Sequence, residues 1–223
     1  MSTAYVFGAT GEIGRMIVSR FESEGYRVAG FSRNSIDGLF SLDTLETIPA
    51  ELSRADCVVW ASGANLNDSI INYNQGNLRN LLEANLFYIT EGISKLRLAN
   101  LLSSECHLVI ISSVWQDLSK ENKFSYTISK SALAGLIRSL AADLSSEGMR
   151  VNGVLPGVVD TKMTRAALSD DQIQRIRDQT PTSQLISIDD VASLVYFLSA
   201  PESRGINGQS IVVDGGWSVV RNV

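Results

Sequence analysis

The sequence predicts an α/β fold in which a doubly wound parallel sheet forms one domain over residues 1–223. Three observations support this prediction: short apolar runs rich in β-branched residues, longer helix-like segments between them, and a glycine-rich turn after the first run. Continuous apolar strands that alternate with helices are typical of a parallel sheet covered on both faces. No repeat or linker interrupts the pattern, so we expect a single domain.

The strands and helices can be assigned in chain order. The predicted strands, each a short apolar run, are 3–7, 26–32, 57–62, 107–112, 150–155 and 209–214. The predicted helices, which lie between them, are 13–24, 43–54, 75–103, 125–147 and 188–199. Only RNSIDGLFSLD separates the second strand from the helix at 43–54, whereas a parallel crossover needs about a dozen or more residues. If GLFSL is a third strand, its preceding helix is missing, so we expect a shortened or irregular sheet edge.

Composition excludes several classes of function. Hydrophobic residues make up 44% of the chain, and the net charge is −5 with no Lys/Arg cluster, which argues against nucleic-acid binding. No apolar run has the length of a membrane span, and MSTA leads directly into the first strand without room for a signal peptide. Cys57, Cys106 and the lone His107 form no metal-ligand pattern. We therefore expect a cytoplasmic protein with no metal, membrane or nucleic-acid partner.

The glycine-rich turn GATGEIG follows the first strand and opens a helix. Glycines there permit a tight turn and let the backbone approach a pyrophosphate, while the helix N-terminus supplies amide donors. A plain strand-to-helix turn is the alternative, but the strand before and the helix after it favour nucleotide binding. The residues of this turn assigned to the cofactor are Gly8, Thr10, Gly11, Glu12, Ile13 and Gly14.

The end of the second strand indicates which dinucleotide is bound. An acidic residue there would accept hydrogen bonds from a free ribose 2′-hydroxyl, but the sequence has Ser32 and Arg33 instead. A guanidinium recognises a phosphate with a planar fork of donors. Although Arg33 could also be a solvated residue, the sequence favours NADP(H) over NAD(H).

A tyrosine and a lysine, Tyr126 and Lys130, stand at helical spacing in FSYTISKSALAG. Side chains four positions apart on a helix lie on one face, which is also true of many surface pairs. A free phenol titrates near 10. An ammonium one turn away, with an oxidised nicotinamide, would favour the phenolate and lower that pKa.

Together these motifs resemble the short-chain dehydrogenase/reductase family in its single-domain branch, from residue 3 to about 217. Tyr126 and Lys130 match the family's YxxxK motif, Ser113 in IISSV matches its catalytic serine, and Asn85 in EANLF matches its active-site asparagine. VNGVLPGVVDTKMT at 151–164 and INGQSIVVDGGW at 206–217 resemble the nicotinamide-closing segment and the last strand. The resemblance implies a Rossmann fold.

The resemblance also implies roles for residues. Tyr126 is the general acid/base, Ser113 reaches the same substrate oxygen, Lys130 also binds the nicotinamide ribose, and Asn85 holds a water that connects Lys130 to solvent. Read structurally instead, Asn85 could cap or bend its helix and Ser113 could end a strand. Besides the glycine turn, the residues implied to contact cofactor are Ser32, Arg33, Asp43, Ala61, Ser62, Gly63, Tyr126, Lys130, Pro156, Gly157, Val159 and Thr161.

The chain departs from the family pattern at two places. The glycines are spaced GxxGxxG, with Glu12 where many single-domain members have glycine, and Phe7 replaces a common threonine. WASG at 60–63 stands where the family usually has NNAG, and it retains only Gly63 as a backbone element beside the adenosine.

We expect an NADP(H)-dependent carbonyl reductase or alcohol dehydrogenase that acts on a small molecule. The substrate pocket is assigned to Ser113, Trp115, Tyr126 and Val158. A non-catalytic NAD(P)-binding sensor or scaffold is the alternative, since a fold does not fix a function, although a sensor does not need the phenol. A sugar-nucleotide epimerase or dehydratase, which the GxxGxxG spacing also resembles, ranks third. Those enzymes carry a C-terminal substrate domain, which we do not expect in this sequence.

The helices at 75–103 and 125–147 are apolar around more of their circumference than one core stripe requires, which predicts a second surface to bury. In the family these two helices pair across a two-fold axis. We therefore expect a homotetramer, or a homodimer.

Overall fold

A six-stranded parallel sheet forms the middle layer of the protein, in the strand order β2-β1-β3-β4-β5-β6. The computed structural model describes residues 1–33, 38–46, 49 and 51–220. Its strands, all within a few residues of the predicted ones, are β1 Thr3–Phe7, β2 Arg27–Phe31, β3 Ala55–Trp60, β4 Leu102–Ile111, β5 Arg150–Pro156 and β6 Ser210–Val213. The predicted doubly wound parallel sheet is thereby confirmed.

Helices cover both faces of this sheet. They are α1 Glu12–Ser23, α2 Gln75–Leu82, α3 Tyr88–Leu98, α4 Phe124–Leu144, α5 Lys162–Ala167, α6 Asp170–Gln179 and α7 Ile188–Ser199. Single 3₁₀ turns lie at Asp43–Glu46, Ile70–Asn72, Val114–Gln116, Ser145–Glu147 and Pro201–Ser203. Among the described residues, no helix is long and apolar enough to cross a membrane.

The core has two parts, one on each face of the sheet. Along β1, Tyr5 and Phe7 point into the part that α3 and α4 cover, whereas Ala4 and Val6 point into the part that α1 and α7 cover. This period of two is the geometry of a strand, and burial on both faces explains why the strand sequence is continuously apolar.

Phe7, which departs from the family pattern, packs between neighbouring strands. Its ring stacks on Phe31 of β2 at 4.3 Å and on Trp60 of β3 at 5.0 Å between ring centroids. These contacts hold together the carboxyl ends of β1, β2 and β3, where ligands bind in parallel sheets of this kind.

The helix predicted at 43–54 is wrong. A single 3₁₀ turn, Asp43–Glu46, takes its place, and residues 47, 48 and 50 lie outside the described part of the chain. Pro49 lacks the amide hydrogen that a helix interior needs, which accounts for the loss. GLFSL contributes an isolated bridge between Phe40 and Phe31 rather than a third strand, so the expected irregular edge is present.

The helix predicted at 75–103 is also shorter than expected. It ends at Leu98 and is interrupted by a π turn at Glu83–Phe87, which separates α2 from α3. The interruption lies at EANLF, the motif that carries Asn85.

Candidate active site

A groove of about 290 Å³ lies at the carboxyl ends of β1, β2 and β3. Its walls contain most of the residues assigned to the cofactor. They are Gly8, Thr10, Gly11, Glu12, Ile13, Gly14, Ser32, Arg33, Ala61, Ser62, Gly63 and Thr161, together with Met163, which was not among the assigned cofactor residues.

Gly8 explains how the turn packs so closely against β3. Its φ is +85°, and a Cβ added there would lie 2.6 Å from the backbone nitrogen of Ser62. Both observations require glycine, because the left-handed conformation is costly for other residues and the neighbour is backbone that cannot turn away. The turn therefore forms one wall of the groove and the end of β3 forms another.

The groove suits a phosphate-bearing dinucleotide. No side chain caps the N-terminus of α1 at Gly11, so its first amides are free to donate to an anion. The buried hydroxyl of Ser62, which lines the groove, has no hydrogen-bond partner among the described residues. The exposed residue Arg33 lines the groove just after the end of β2, which is the position from which a guanidinium would contact the 2′-phosphate of a bound ribose.

Glu12 connects this groove to the segment after β5. Its carboxylate accepts a hydrogen bond of 2.8 Å from the backbone nitrogen of Lys162, the first residue of α5. Thr161 caps the same helix, since its hydroxyl accepts from the nitrogen of Thr164. The residue that stands where many family members have glycine thus holds the start of the segment expected to cover the nicotinamide.

Other residues assigned to the cofactor lie outside the groove. The side chain of Asp43 is 92% exposed and lies 3.9 Å from the ammonium of Lys95. Gly157 packs against Asp214 after β6, and a short bridge joins Val159 to Ile186. Pro156 belongs to this same stretch and does not line the groove, and neither does Val158, which was assigned to the substrate. Asp43 and this stretch therefore remain predictions as cofactor contacts.

Asn85 is fully buried in the π turn between α2 and α3. Its amide donates to the carbonyl of Ala64 at 3.0 Å and to the hydroxyl of Ser129 at 2.9 Å, and its oxygen accepts from the nitrogen of Ala64 at 2.7 Å. A Cβ added to Gly63 would lie 3.1 Å from the Asn85 oxygen and 3.6 Å from the Lys130 nitrogen. Gly63 therefore places the groove beside the predicted catalytic residues.

Ser113, Tyr126 and Lys130 converge at this point. Ser113 lies close enough to Tyr126 to lower the pKa of its phenol, and the Lys130 ammonium lies 5.8 Å from the centre of the Tyr126 ring. Lys130 is 5% exposed and donates to the carbonyl of Ile111 at 3.3 Å. The residues that were matched by order along the chain are thus close in space.

The pKa values differ from the expectation. Burial raises the pKa of the Tyr126 phenol, and the hydrogen bond from Ser113 offsets this rise only in part. Burial also lowers the pKa of Lys130 to about 8. In the protein alone burial therefore outweighs the expected lowering of the phenol pKa; that expectation included an oxidised nicotinamide and stays a prediction for the cofactor-bound enzyme.

Asp68 fixes the start of the helix that carries Tyr126. This buried carboxylate accepts from the backbone nitrogen of Ser125 at 2.9 Å and from its hydroxyl at 2.5 Å. A carboxylate at a helix N-terminus satisfies free amides and suits the helix dipole. Sequence reasoning missed Asp68 because it lies 57 residues before its partner.

Sequence reasoning also missed Lys123, three residues before Tyr126. Its ammonium donates to the side-chain oxygen of Asn65 at 2.7 Å and lies 5.1 Å from the centre of the Tyr126 ring. Lys123 immediately precedes α4 and Tyr126 lies in its first turn, so their spacing was visible in the sequence, but the inward direction of the lysine was not.

A second cavity, of about 600 Å³, lies beside the Ser113 loop. Trp115 meets Trp217 of the C-terminal segment edge to face at 5.7 Å, and the Lys120 ammonium lies 5.4 Å from the Trp115 ring centre. Of the residues assigned to substrate, only Trp115 lines this cavity, and Trp217 was not assigned. Both described cysteines are free and buried, and the described residues contain no cluster of three potential metal ligands.

The fold and the groove define a class of protein: a Rossmann-type oxidoreductase, in which Ser113, Tyr126 and Lys130 lie beside a groove lined by the glycine turn. Residues 41–218 match the family model described as enoyl-(acyl carrier protein) reductase, which covers most of the chain. The protein belongs to the short-chain dehydrogenase/reductase family. It is an enzyme that acts on CH–OH or C=O groups with a nicotinamide cofactor, rather than a sensor or scaffold.

Relatives with known activity cover the whole length of the chain. The 3-oxoacyl-[acyl-carrier-protein] reductase FabG of Salmonella typhimurium is 29% identical over 239 residues, with 97% of both chains covered. Its Escherichia coli counterpart is 28% identical over 238 residues, with the same coverage. Among solved structures, Thermoplasma acidophilum aldohexose dehydrogenase in ligand-free form has a TM-score of 0.89 and 25% identity, covering 100% of this chain and 96% of that chain.

Proposed function

We propose that this enzyme is an NADP(H)-dependent ketoreductase that interconverts a carbonyl and a secondary alcohol, with Tyr126 as its general acid/base. The observation that supports the proposal most strongly is the convergence of Ser113, Tyr126 and Lys130 at the end of the nucleotide groove. The whole chain, residues 1–223, forms one functional domain in this proposal.

The cofactor would be held by the glycine turn, Ser62 and Arg33, and it would supply the hydride for carbonyl reduction. Tyr126 donates its phenolic proton to the substrate oxygen that becomes the alcohol. The Ser113 hydroxyl, which lies beside the phenol, donates a hydrogen bond to the same oxygen. Lys130 stabilises the resulting phenolate, and Asn85 holds the loop at Ala64 beside it.

The similar proteins suggest more than one chemical class of substrate. The named relatives are 3-oxoacyl-carrier reductases and an aldohexose dehydrogenase, whereas the family model carries the name of an enoyl reductase. A panel containing a 3-oxoacyl thioester, an aldohexose and a 2-enoyl thioester separates these chemistries. Loss of absorbance from the reduced nicotinamide reports reduction of the thioesters, and its gain reports oxidation of the aldohexose. Turnover of the enoyl thioester alone would contradict the ketoreductase proposal.

Replacing Tyr126 with phenylalanine tests the assigned acid. The substitution keeps the ring and removes only the hydroxyl, so the fold and cofactor affinity should be retained. We expect kcat to fall by about 10²–10⁴-fold, the usual contribution of general acid catalysis. Retention of kcat within a few-fold of wild type would show that another group supplies the proton.

Arg33 supports the preference for NADP(H), because it is the cation at the end of β2. A charge-assisted phosphate contact contributes about 1.5–3 kcal/mol, and we expect the lower end because Arg33 is exposed. Arg33→Ala should therefore weaken NADPH binding about tenfold while changing NADH affinity little. An equal loss for both cofactors in parallel fluorescence titrations would argue against 2′-phosphate recognition.

A homotetramer, or a homodimer, is part of the proposal. Large apolar side chains are exposed on α3 and α4 and on the segments that flank α2, on or next to the two helices that sequence analysis predicted to carry a second buried surface. They are Ile70, Ile71, Tyr73, Phe87, Leu98 and Ile128. Exposed large apolar side chains on neighbouring helices are typical of an interface.

A further inference from the structure

Lys123 places a second ammonium group against the Tyr126 ring. The residue is 8% exposed, and its nitrogen lies 5.1 Å from the ring centre, compared with 5.8 Å for Lys130. A lysine at this depth gives up most of its hydration, which is costly unless its surroundings compensate. Its position therefore calls for a reason beyond packing.

The charge of Lys123 is not cancelled by an ion pair within the described part of the chain. Its hydrogen-bond acceptor is the neutral side-chain oxygen of Asn65. The nearby carboxylate of Asp68 is engaged by the nitrogen and hydroxyl of Ser125, and Lys120 adds a like charge. The remaining partner of the Lys123 ammonium is the electron-rich ring of Tyr126.

We propose that Lys123 is a positioning residue that acts through Tyr126, stabilising its phenolate together with Lys130. This inference rests on the proposed function, in which Tyr126 cycles between phenol and phenolate. A cation above the ring attracts the phenolate more strongly than the phenol, because the phenolate carries a full negative charge.

The charged groups around Tyr126 make a second cation useful. Lys130 is its partner one turn further along α4, and burial lowers the pKa of that ammonium to about 8. Ser113 faces the phenol from the loop after β4. Burial and the like charge of Lys120 lower the pKa of Lys123, while Asp68 raises it. A second ammonium therefore adds to the positive charge that stabilises the phenolate.

The test is the pH dependence of kcat/KM for alcohol oxidation, which requires the phenolate and rises with pH as Tyr126 deprotonates. Lys123→Met removes the cation, so the rising limb should move up by about one to two pH units, as expected for an ammonium 5.1 Å from the centre of the ring that carries the phenolate charge, in a partly solvated site. Lys123→Gln provides a second neutral variant if the methionine variant folds poorly. Lys123→Arg keeps the charge and should restore the wild-type limb.

Asn65→Ala is the matched control, because it removes the hydrogen bond to Lys123 but leaves the ammonium in place. We expect its limb to stay near that of wild type. An unmoved limb in both neutral Lys123 variants would overturn the inference. The inference would also be overturned if the rising limb of the pH profile moved as far in Asn65→Ala as in Lys123→Met. Loss of the hydrogen bond that anchors the Asn65 loop, rather than loss of the charge, would then explain the effect.

A second measurement separates this inference from the proposed function. The ¹³Cζ resonance of Tyr126, assigned by its absence in Tyr126→Phe, reports phenol ionisation directly with the oxidised cofactor bound. We expect this titration to move upward in Lys123→Met. If Tyr126→Phe keeps wild-type turnover, the proposed function fails, yet the resonance still tests whether Lys123 controls the phenol pKa. An unchanged titration would refute the inference by itself.

Discussion

Substitution of Gly8 with alanine tests whether the glycine turn requires glycine at the position that meets β3. The φ of +85° costs an alanine about 1–2 kcal/mol, since L-residues disfavour the left-handed region. The new Cβ would also lie 2.6 Å from the Ser62 nitrogen and 2.8 Å from the Ala61 carbonyl carbon, both of them backbone atoms. Overpacking against such atoms adds about 1–3 kcal/mol, so we expect the free energy of unfolding to fall by about 2–5 kcal/mol.

Gly25 offers a control within the same chain. Its φ is +82°, close to that of Gly8, but a Cβ there would meet nothing within 4 Å. Gly25→Ala should therefore cost only the backbone term, about 1–2 kcal/mol. The difference between the two variants isolates the contact with β3.

The two variants can be compared by urea unfolding at one protein concentration and by fluorescence titration with reduced dinucleotide. Gly8→Ala should also weaken cofactor binding, because the groove wall must shift to accommodate the Cβ. Gly25→Ala, at the opposite end of α1, should bind the cofactor as wild type does. Equal destabilisation by the two substitutions, or unchanged cofactor affinity in Gly8→Ala, would refute the reasoning.

Three further predictions concern stability, dynamics and assembly. Lys130→Met should raise the free energy of unfolding at pH 7 by about 3 kcal/mol, because burial lowers the pKa of the lysine from 10.5 to about 8. This advantage should shrink as the pH rises from 8 toward 10.5, because the wild-type protein gains stability in that range. A difference between the two proteins that stays constant with pH in urea unfolding would contradict the prediction. We expect the segment 161–181 to be a mobile lid, because it is anchored mainly by Ile173 and by the contact with Glu12. Its amide hydrogens should exchange faster than those of the sheet, and their exchange should slow when the cofactor binds. Protection equal to that of the sheet without ligand would argue against a lid. Light scattering should give a multiple of the 24.2 kDa chain mass, and a mass near 24.2 kDa at micromolar concentration would exclude the proposed oligomer.

Local patterns were enough to predict most of the fold. The apolar runs that became β1 and β5 are buried along their whole length, so their composition directly reports a sheet covered on both faces. The glycine turn was recognisable because φ above zero and close approach exclude other residues at Gly8. The prediction of a helix at 43–54 was wrong because it followed the helix-like pattern and did not take Pro49 into account.

The candidate site was predictable in its residue types and their order along the chain. Asn85, Ser113, Tyr126 and Lys130 could be matched to a family by motif, and helical spacing placed the last two on one face. Their pKa values were not predictable in this way. The direction of each shift depends on burial, and burial depends on what the rest of the chain places around the side chain.

The sequence by itself therefore determined the parallel α/β architecture, the glycine turn and the kinds of side chain available for chemistry, because these depend on periodicity and local backbone requirements. Only the tertiary structure brought Asn65 and Asp68 to the start of α4, across 58 and 57 residues of chain, and Glu12 to Lys162 across 150. Such contacts depend on how the strands are ordered and how the loops at their ends meet. That arrangement is a property of the whole packed fold, and no local pattern encodes which distant polar groups will become neighbours.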